Sequence, residues 1–167
     1  EEILLELRKL FSKQKILYLN LSDLYFKNKD LEKGILTLKE GIKIFPKFIP
    51  LRFNLAIMYR NLGLLEHSIR THLEILNDDQ FNSNSYYELS TMYDFSNHNE
   101  QLKTLLNIEI GNLSQKEKIY FCYSKANDFH NKKNYKESAY FLKIANDEKL
   151  KIQPSDIKRK LNTGEYY

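Results

Sequence analysis

The sequence has a single cysteine, Cys122, no tryptophan and only five glycines among its 167 residues. One thiol cannot form a disulfide within the chain, so a disulfide framework is excluded and a reducing compartment such as the cytoplasm is favoured. No apolar run approaches the ~20 residues that a membrane-spanning helix needs, and no signal peptide is evident. We therefore expect a cytoplasmic protein without membrane contact, in which Cys122 is a small interior residue.

Patterns typical of catalytic and ligand-binding sites are also scarce. The five glycines, at positions 34, 41, 63, 111 and 164, never cluster into a loop that could surround a phosphate. The four histidines show no His-Glu-x-x-His pattern and no Cys/His spacing of the kind that binds zinc. We accordingly predict that this segment is not an enzyme and needs neither a metal nor a cofactor.

Charge of one sign does not dominate the sequence. Residues 1–60 carry 12 basic and 7 acidic groups, residues 61–114 carry 2 basic and 8 acidic groups, and residues 115–160 carry 12 basic and 6 acidic groups. An acidic middle between two basic ends is unlike the continuous basic face that binds nucleic acid. The charge pattern therefore argues against a nucleic-acid partner.

A period of 34 residues runs through the sequence from Lys15 onward. Its seventh position is large and apolar, its eighth is small and its eleventh is aromatic. In the units that begin at Lys15, Ile49 and Ser83, these positions hold Leu21, Leu55 and Leu89, then Ser22, Ala56 and Ser90, then Tyr25, Tyr59 and Tyr93. Short polar breaks at residues 28–30, 61–63 and 96–99 fit the turns of helical hairpins. We expect the leucines and tyrosines to be buried between helices.

This pattern resembles the tetratricopeptide repeat, a pair of antiparallel helices about 34 residues long. The resemblance implies an all-α fold, a right-handed solenoid of helix pairs in which small residues let neighbouring helices approach. Gly34 and Gly41, at two further positions of the first unit, agree with it. A glycine costs about 1 kcal/mol in a free helix, and it is tolerated where the missing side chain permits close contact.

The register divides the whole chain into segments. A fourth unit fits best when it is counted from Ile119, which places Ala126 at the eighth position and two inserted residues in the linker around 113–118. The predicted segments are an orphan second helix or N-terminal cap (1–14), four repeats (15–48, 49–82, 83–116 and the irregular 117–152) and a C-terminal capping helix or tail (153–167). Because the first segment lacks a partner helix and an initiating Met, we expect a fragment of a longer repeat protein, with a capping helix as the alternative.

The resemblance also implies where a ligand would bind. In tetratricopeptide arrays the first helices of the pairs line a concave groove, which positions 2, 5, 9, 12 and 13 of each unit usually face. The predicted groove residues are Leu19, Phe53, Tyr87 and Tyr123, accompanied by the polar side chains of Asn54, Arg60 and His130. An aromatic row with polar edges would suit an extended peptide or a helix, so we predict a protein- or peptide-binding scaffold. The alternative is that these aromatic side chains pack against neighbouring helices or against another part of the same protein.

One known ligand class is not expected in that groove. Repeat domains that bind the acidic C-terminal tails of chaperones use a clamp of Lys at the fifth and Asn at the ninth position of their first unit. The residues at these positions are Leu19 and Asp23. The sequence therefore predicts that this clamp is missing.

The last unit carries a second resemblance. Residues 125–146, including Lys125-Ala126 and Ala145-Asn146, resemble the final repeat of bacterial proteins in which such repeats precede a sulfotransferase domain. The sulfonate-donor loop of that family is not in this sequence. The resemblance implies an alternative function, a regulatory or substrate-presenting arm of a sulfotransferase whose catalytic domain would begin beyond Tyr167.

Overall fold

The computed structural model describes residues 14–92 and 99–153, and within these ranges it contains eight helices. They are α1 (Lys15–Lys27), α2 (Leu31–Ile44), α3 (Ile49–Asn61), α4 (Leu65–Asp78), α5 (Ser83–Met92), α6 (Asn99–Asn107), α7 (Gln115–Asn131) and α8 (Tyr135–Ile152). The helices follow one another as consecutive antiparallel pairs, which confirms the predicted all-α fold. The predicted N-terminal helix and the C-terminal cap fall outside the described residues, apart from residues 14 and 153 at their inner ends.

The helices belong to two compact units that divide after Gln80. In the first unit α1 packs on α2, α2 on α3, and α3 on α4. In the second unit α7 packs on α8 and on α5, and α6 makes a smaller contact with α7. The division into four repeats and the right-handed course of the solenoid stay predictions.

Three of the helix pairs turn through the same backbone conformation. Lys29, Gly63 and Lys133 have φ values of 61°, 75° and 60°, in the left-handed region that favours glycine. Each lies two residues before the second helix of its pair begins. Asp30 and Asn134 then cap α2 and α8, because their side chains accept hydrogen bonds from the backbone N–H of the residue three positions on. The last described pair therefore turns as the first one does.

The residues of the seventh and eleventh positions form the interior. Leu21, Leu55 and Leu89 are buried, and so are Tyr25 and Tyr59. The small residues of the eighth position, Ser22, Ala56, Ser90 and Ala126, are buried as well. These findings confirm the predicted core of both units, while Tyr93 lies outside the described residues.

Two glycines set how closely helices approach in the first unit. A Cβ atom at Gly41 would lie 2.9 Å from Cγ of Tyr18 and 3.1 Å from Cδ1 of Leu51, on helices α1 and α3. At Gly34 it would lie 2.7 Å from Sδ of Met58. Contacts this short are closer than van der Waals packing allows. At Gly41 they involve the Cβ and Cγ atoms of Tyr18, so α2 approaches α1 this closely only without a side chain there, whereas at Gly34 the flexible end of Met58 could move. The sequence prediction for these two glycines is confirmed.

The fourth pair departs from the pattern at its seventh position, where Lys125 replaces leucine. Its side chain is buried, and its ammonium donates hydrogen bonds to the carbonyl oxygens of Ile108 (2.7 Å) and Leu106 (3.2 Å). Helix α6 has 9 residues, whereas α2 and α4 have 14 each, so α6 ends early. The last carbonyl groups of a helix lack donors within that helix. Lys125 supplies donors at the C-terminal end of α6, and a cation interacts favourably with that end of the helix dipole.

We expect Gly41→Ala to destabilise the protein by about 1–2 kcal/mol. The new methyl group would force Tyr18 and Leu51 apart, and overpacking of this kind costs about 1–3 kcal/mol, partly offset by the better helix propensity of alanine. Urea denaturation followed by circular dichroism measures the change. Gly111→Ala is the matched control, since a Cβ there meets no atom within 4 Å. Equal stabilities of the two variants would contradict the close contact.

Lys125→Met tests whether the buried ammonium holds the end of α6. Methionine fills similar space but leaves two carbonyl oxygens without a donor, so we expect a loss of about 1–3 kcal/mol in the free energy of unfolding. Hydrogen exchange should accelerate mainly at the amides of α6. Lys143→Met, on the exposed side of α8, serves as the control. Unchanged exchange in α6 would show that Lys125 does not support its C-terminal end.

Candidate functional site

The predicted groove residues of the first unit lie on α1 and α3. Leu19 is half-buried and packs against the core cluster of that unit. The side-chain amide of Asn54 donates a hydrogen bond of 3.4 Å to Oδ1 of Asp23, and this links α3 to α1. Arg60 is exposed at the end of α3. Asn54 thus already uses one of its donors inside the protein.

Phe53 lies against a buried histidine. Its ring makes an edge-to-face contact with His72 of α4, with the ring centres 5.4 Å apart. His72 is buried, and burial together with the positive charge of Arg60 lowers the pKa of His72 from 6.5 to about 4. His72 is therefore neutral at pH 7 and serves as an aromatic packing partner. Phe53 is half-buried and packs against a neighbouring helix, as the alternative for the groove aromatics predicts.

The predicted residues of the second unit separate into two places. Tyr87 of α5 and Tyr123 of α7 are half-buried, with ring centres 5.9 Å apart. His130 is exposed near the other end of α7, where its ring contacts Tyr135 with centres 5.5 Å apart. Tyr87 and Tyr123 therefore share a site that His130 does not line.

That site is a cleft of about 420 Å³, which we call the tyrosine cleft. Its lining residues are Tyr87, Lys116, Ile119, Tyr120, Tyr123, Lys149, Ile152 and Gln153. Tyr120 comes three residues before Tyr123 on α7, and its ring centre is 5.3 Å from that of Tyr87. The hydroxyl group of Tyr123 donates a hydrogen bond of 2.7 Å to Oδ1 of Asn146, which fixes this side chain against α8. Three tyrosines of two helices thus form an aromatic wall.

Sequence reasoning missed Tyr120 and the two lysines of the cleft. Tyr120 holds the second position of the last unit, a position that faces the groove in tetratricopeptide arrays, so a signal for it existed. No repeat position marks Lys116 or Lys149. Lys116 lies on the first turn of α7, which begins four residues before Ile119, the first position of the unit. Lys149 lies on the last turn of α8.

The thiol of Cys122 is part of the protein interior. Cys122 is fully buried, and burial raises the pKa of its thiol, so the uncharged form predominates at pH 7. The predicted interior position of Cys122 is confirmed.

Among the residues that the structure describes, no group of three or more His, Cys, Asp or Glu side chains is placed to bind a metal ion. None of the described helices is both long and apolar enough to cross a membrane.

Consecutive antiparallel helix pairs around small buried residues define a helical-repeat fold like that of tetratricopeptide-repeat proteins. The chain matches no protein-family model and no curated protein sequence. It is similar in structure to MamA, a tetratricopeptide-repeat protein, whose crystal structure superposes with a TM-score of 0.59 at 13% identity, over 91% of this chain and 88% of that one. A structure of MamA AMB-1 in a P212121 crystal gives 0.52 at 15% identity, over 87% of this chain and 78% of that one.

At these identities the likeness shows the fold alone. The sulfotransferase association that residues 125–146 implied has no support among these structures. Lys125, which lies in that stretch, has a structural role at the end of α6.

The neutral state of His72 makes stability depend on pH. Its pKa is about 4 in the folded protein and 6.5 when exposed, so its contribution is complete above pH 6.5 and is lost as the pH falls to about 4. We expect a loss of about 3 kcal/mol over that interval. His72→Leu should remove this part of the pH dependence, because leucine has no titratable group. Leucine fits this position of the repeat, which the buried Leu38 holds in the first pair. Urea denaturation of both proteins at several pH values measures the difference, and parallel pH curves would contradict it.

Proposed function

We propose that the protein is a non-catalytic scaffold that binds a protein or peptide, and that the tyrosine cleft is its binding site. The observation that carries this proposal is the wall of three half-buried tyrosines along a cleft of about 420 Å³. That volume lies in the lower part of the range for ligand pockets. It suits one large side chain with its adjacent backbone.

The chemistry of the cleft supports peptide recognition. Tyrosine has few rotatable bonds and a large apolar ring, so it gives contact area at low entropic cost, and it also has a hydroxyl group for hydrogen bonding. Ile119 and Ile152 add aliphatic surface to the wall. Aromatic residues in such clefts often supply most of the binding energy of an interface.

The other predicted contact residues remain proposals. Leu19, Phe53, Asn54 and Arg60 are proposed contacts of the first unit, and His130 is one of the second. The single buried thiol supports a reducing compartment, and we propose the cytoplasm as the place where this scaffold works.

The test is selection of peptides from a random phage-displayed library on the full chain, followed by titration of a synthetic selected peptide. We expect Tyr87→Ala with Tyr120→Ala to weaken binding at least tenfold, since loss of interface aromatics costs about 2 kcal/mol or more at such sites. Tyr135→Ala with Tyr140→Ala is the matched control, because both tyrosines are exposed on α8 and neither lines the cleft.

Circular dichroism shows whether the variants remain folded. Should the alanine pair unfold, Tyr87→Leu with Tyr120→Leu retains more of the apolar volume and removes the aromatic faces and hydroxyl groups. Selected peptides that bind a folded cleft variant as tightly as the natural chain would place recognition elsewhere. Failure to select any peptide that binds the full chain would refute the proposed function.

A further inference from the structure

The mouth of the tyrosine cleft is formed by two helix ends that meet. Lys116 lies on the first turn of α7 and Lys149 on the last turn of α8. The side chain of Gln115 donates a hydrogen bond of 3.2 Å to the backbone oxygen of Glu148, which shows that these ends are in contact. Because the two helices are antiparallel, both lysines lie at the same end of the pair, and both line the cleft.

These lysines differ in their contacts from the lysines beside them. Lys118 and Lys151 both form ion pairs with Glu148, at 3.1 and 2.9 Å. Lys116, in contrast, has its ammonium 5.8 Å from the ring centre of Tyr120, and Lys149 is exposed. Within the part of the chain that the structure describes, neither Lys116 nor Lys149 has a carboxylate partner. The residues that line the cleft include these two lysines and no Asp or Glu.

The cleft therefore combines apolar and cationic surface. The rings of Tyr87, Tyr120 and Tyr123 offer apolar surface for one side chain, and Lys116 and Lys149 line the same cleft. A ligand that matches both parts has a large apolar side chain followed closely by negative charge. Charge complementarity of this kind determines specificity and the rate of association.

We propose that the partner of the tyrosine cleft is a peptide segment with one aromatic or large aliphatic anchor followed directly by acidic side chains. The proposal rests on the proposed function, since it names the ligand class of the same cleft. The anchor packs against the tyrosine rings, and the carboxylates of the following residues pair with Lys116 and Lys149. The lysines come from a helix start and a helix end, so this site is distinct from the chaperone-tail clamp, whose positions hold Leu19 and Asp23.

The experiment compares two acetylated and amidated peptides that differ in charge alone, with the central sequences Phe-Asp-Glu and Phe-Asn-Gln. Titration calorimetry or fluorescence anisotropy with the full chain should show roughly fivefold to tenfold tighter binding of the acidic peptide at low salt, as two exposed ion pairs provide. The preference should shrink as salt is added, because exposed charges are screened.

Two double variants then locate the charge effect. Lys116→Gln with Lys149→Gln should abolish the preference, so that the acidic and the neutral peptide bind this variant equally. Lys136→Gln with Lys143→Gln is the matched control, since it removes the same charge from exposed positions of α8 that do not line the cleft. The control variant should retain the full preference.

The outcomes separate this proposal from the one it rests on. Equal binding of both peptides by the natural chain, with loss of both in the Tyr87→Ala, Tyr120→Ala variant, would overturn the acidic partner and support the peptide-binding cleft. A preference for the acidic peptide that survives in the Lys116→Gln, Lys149→Gln variant would also overturn the acidic partner. An additional peptide ending in Phe with a free carboxylate tests the other source of negative charge, and its binding in place of the acidic peptide would show that a chain terminus is recognised. Binding of neither central sequence would overturn the acidic partner, and the phage selection decides separately whether the cleft binds any peptide.

Discussion

The first unit depends on one steric constraint, the close approach of α2 to its two neighbours. At Gly41 the backbone of α2 lies so near Tyr18 and Leu51 that even a methyl group has no room. Both of these contacting residues are fully buried, so the constraint joins three helices at one point of the core. The small eighth-position residues Ser22 and Ala56 are buried in the same unit. Side-chain size at a few positions, more than apolar content, therefore determines how these helices pack.

The second unit differs from the first because its helix α6 is short, with 9 residues. An apolar residue at the seventh position would leave the carbonyl groups at the end of that helix without donors in a buried place. Lys125 reaches them with a buried ammonium, although burial lowers the pKa of this side chain and disfavours its charged form. Hydrogen bonds to two carbonyl oxygens offset this cost, as does the ring of Phe141, whose centre lies 5.3 Å from the ammonium. The unit thus exchanges an apolar contact for a polar one.

The fold could be predicted from the sequence because its determinants repeat. Leu21, Leu55 and Leu89 recur every 34 residues, and a recurring residue type at a recurring spacing reports burial without knowledge of contacts. The site was predictable only in part. Tyr87 and Tyr123 follow from their repeat position, and Tyr120 could have followed. The histidine that faces Phe53 occupies a position that Leu38 holds in the first pair, and a single sequence gives no reason for that exchange.

The lysines of the cleft could not be predicted, for a physical reason. Lys116 lies on the turn by which α7 extends before the repeat begins, and Lys149 lies on the last turn of α8, whose final residues exceed the length of α2 and α4. Neither lysine holds a position of the repeat that faces the groove, so the periodic pattern gives no reason to select it. The added first turn of α7 brings Lys116 beside the tyrosines, and the longer α8 brings Lys149 there. Repeated positions thus provide the aromatic wall, and the lengthened helix ends provide the two lysines of the proposed acidic-peptide site.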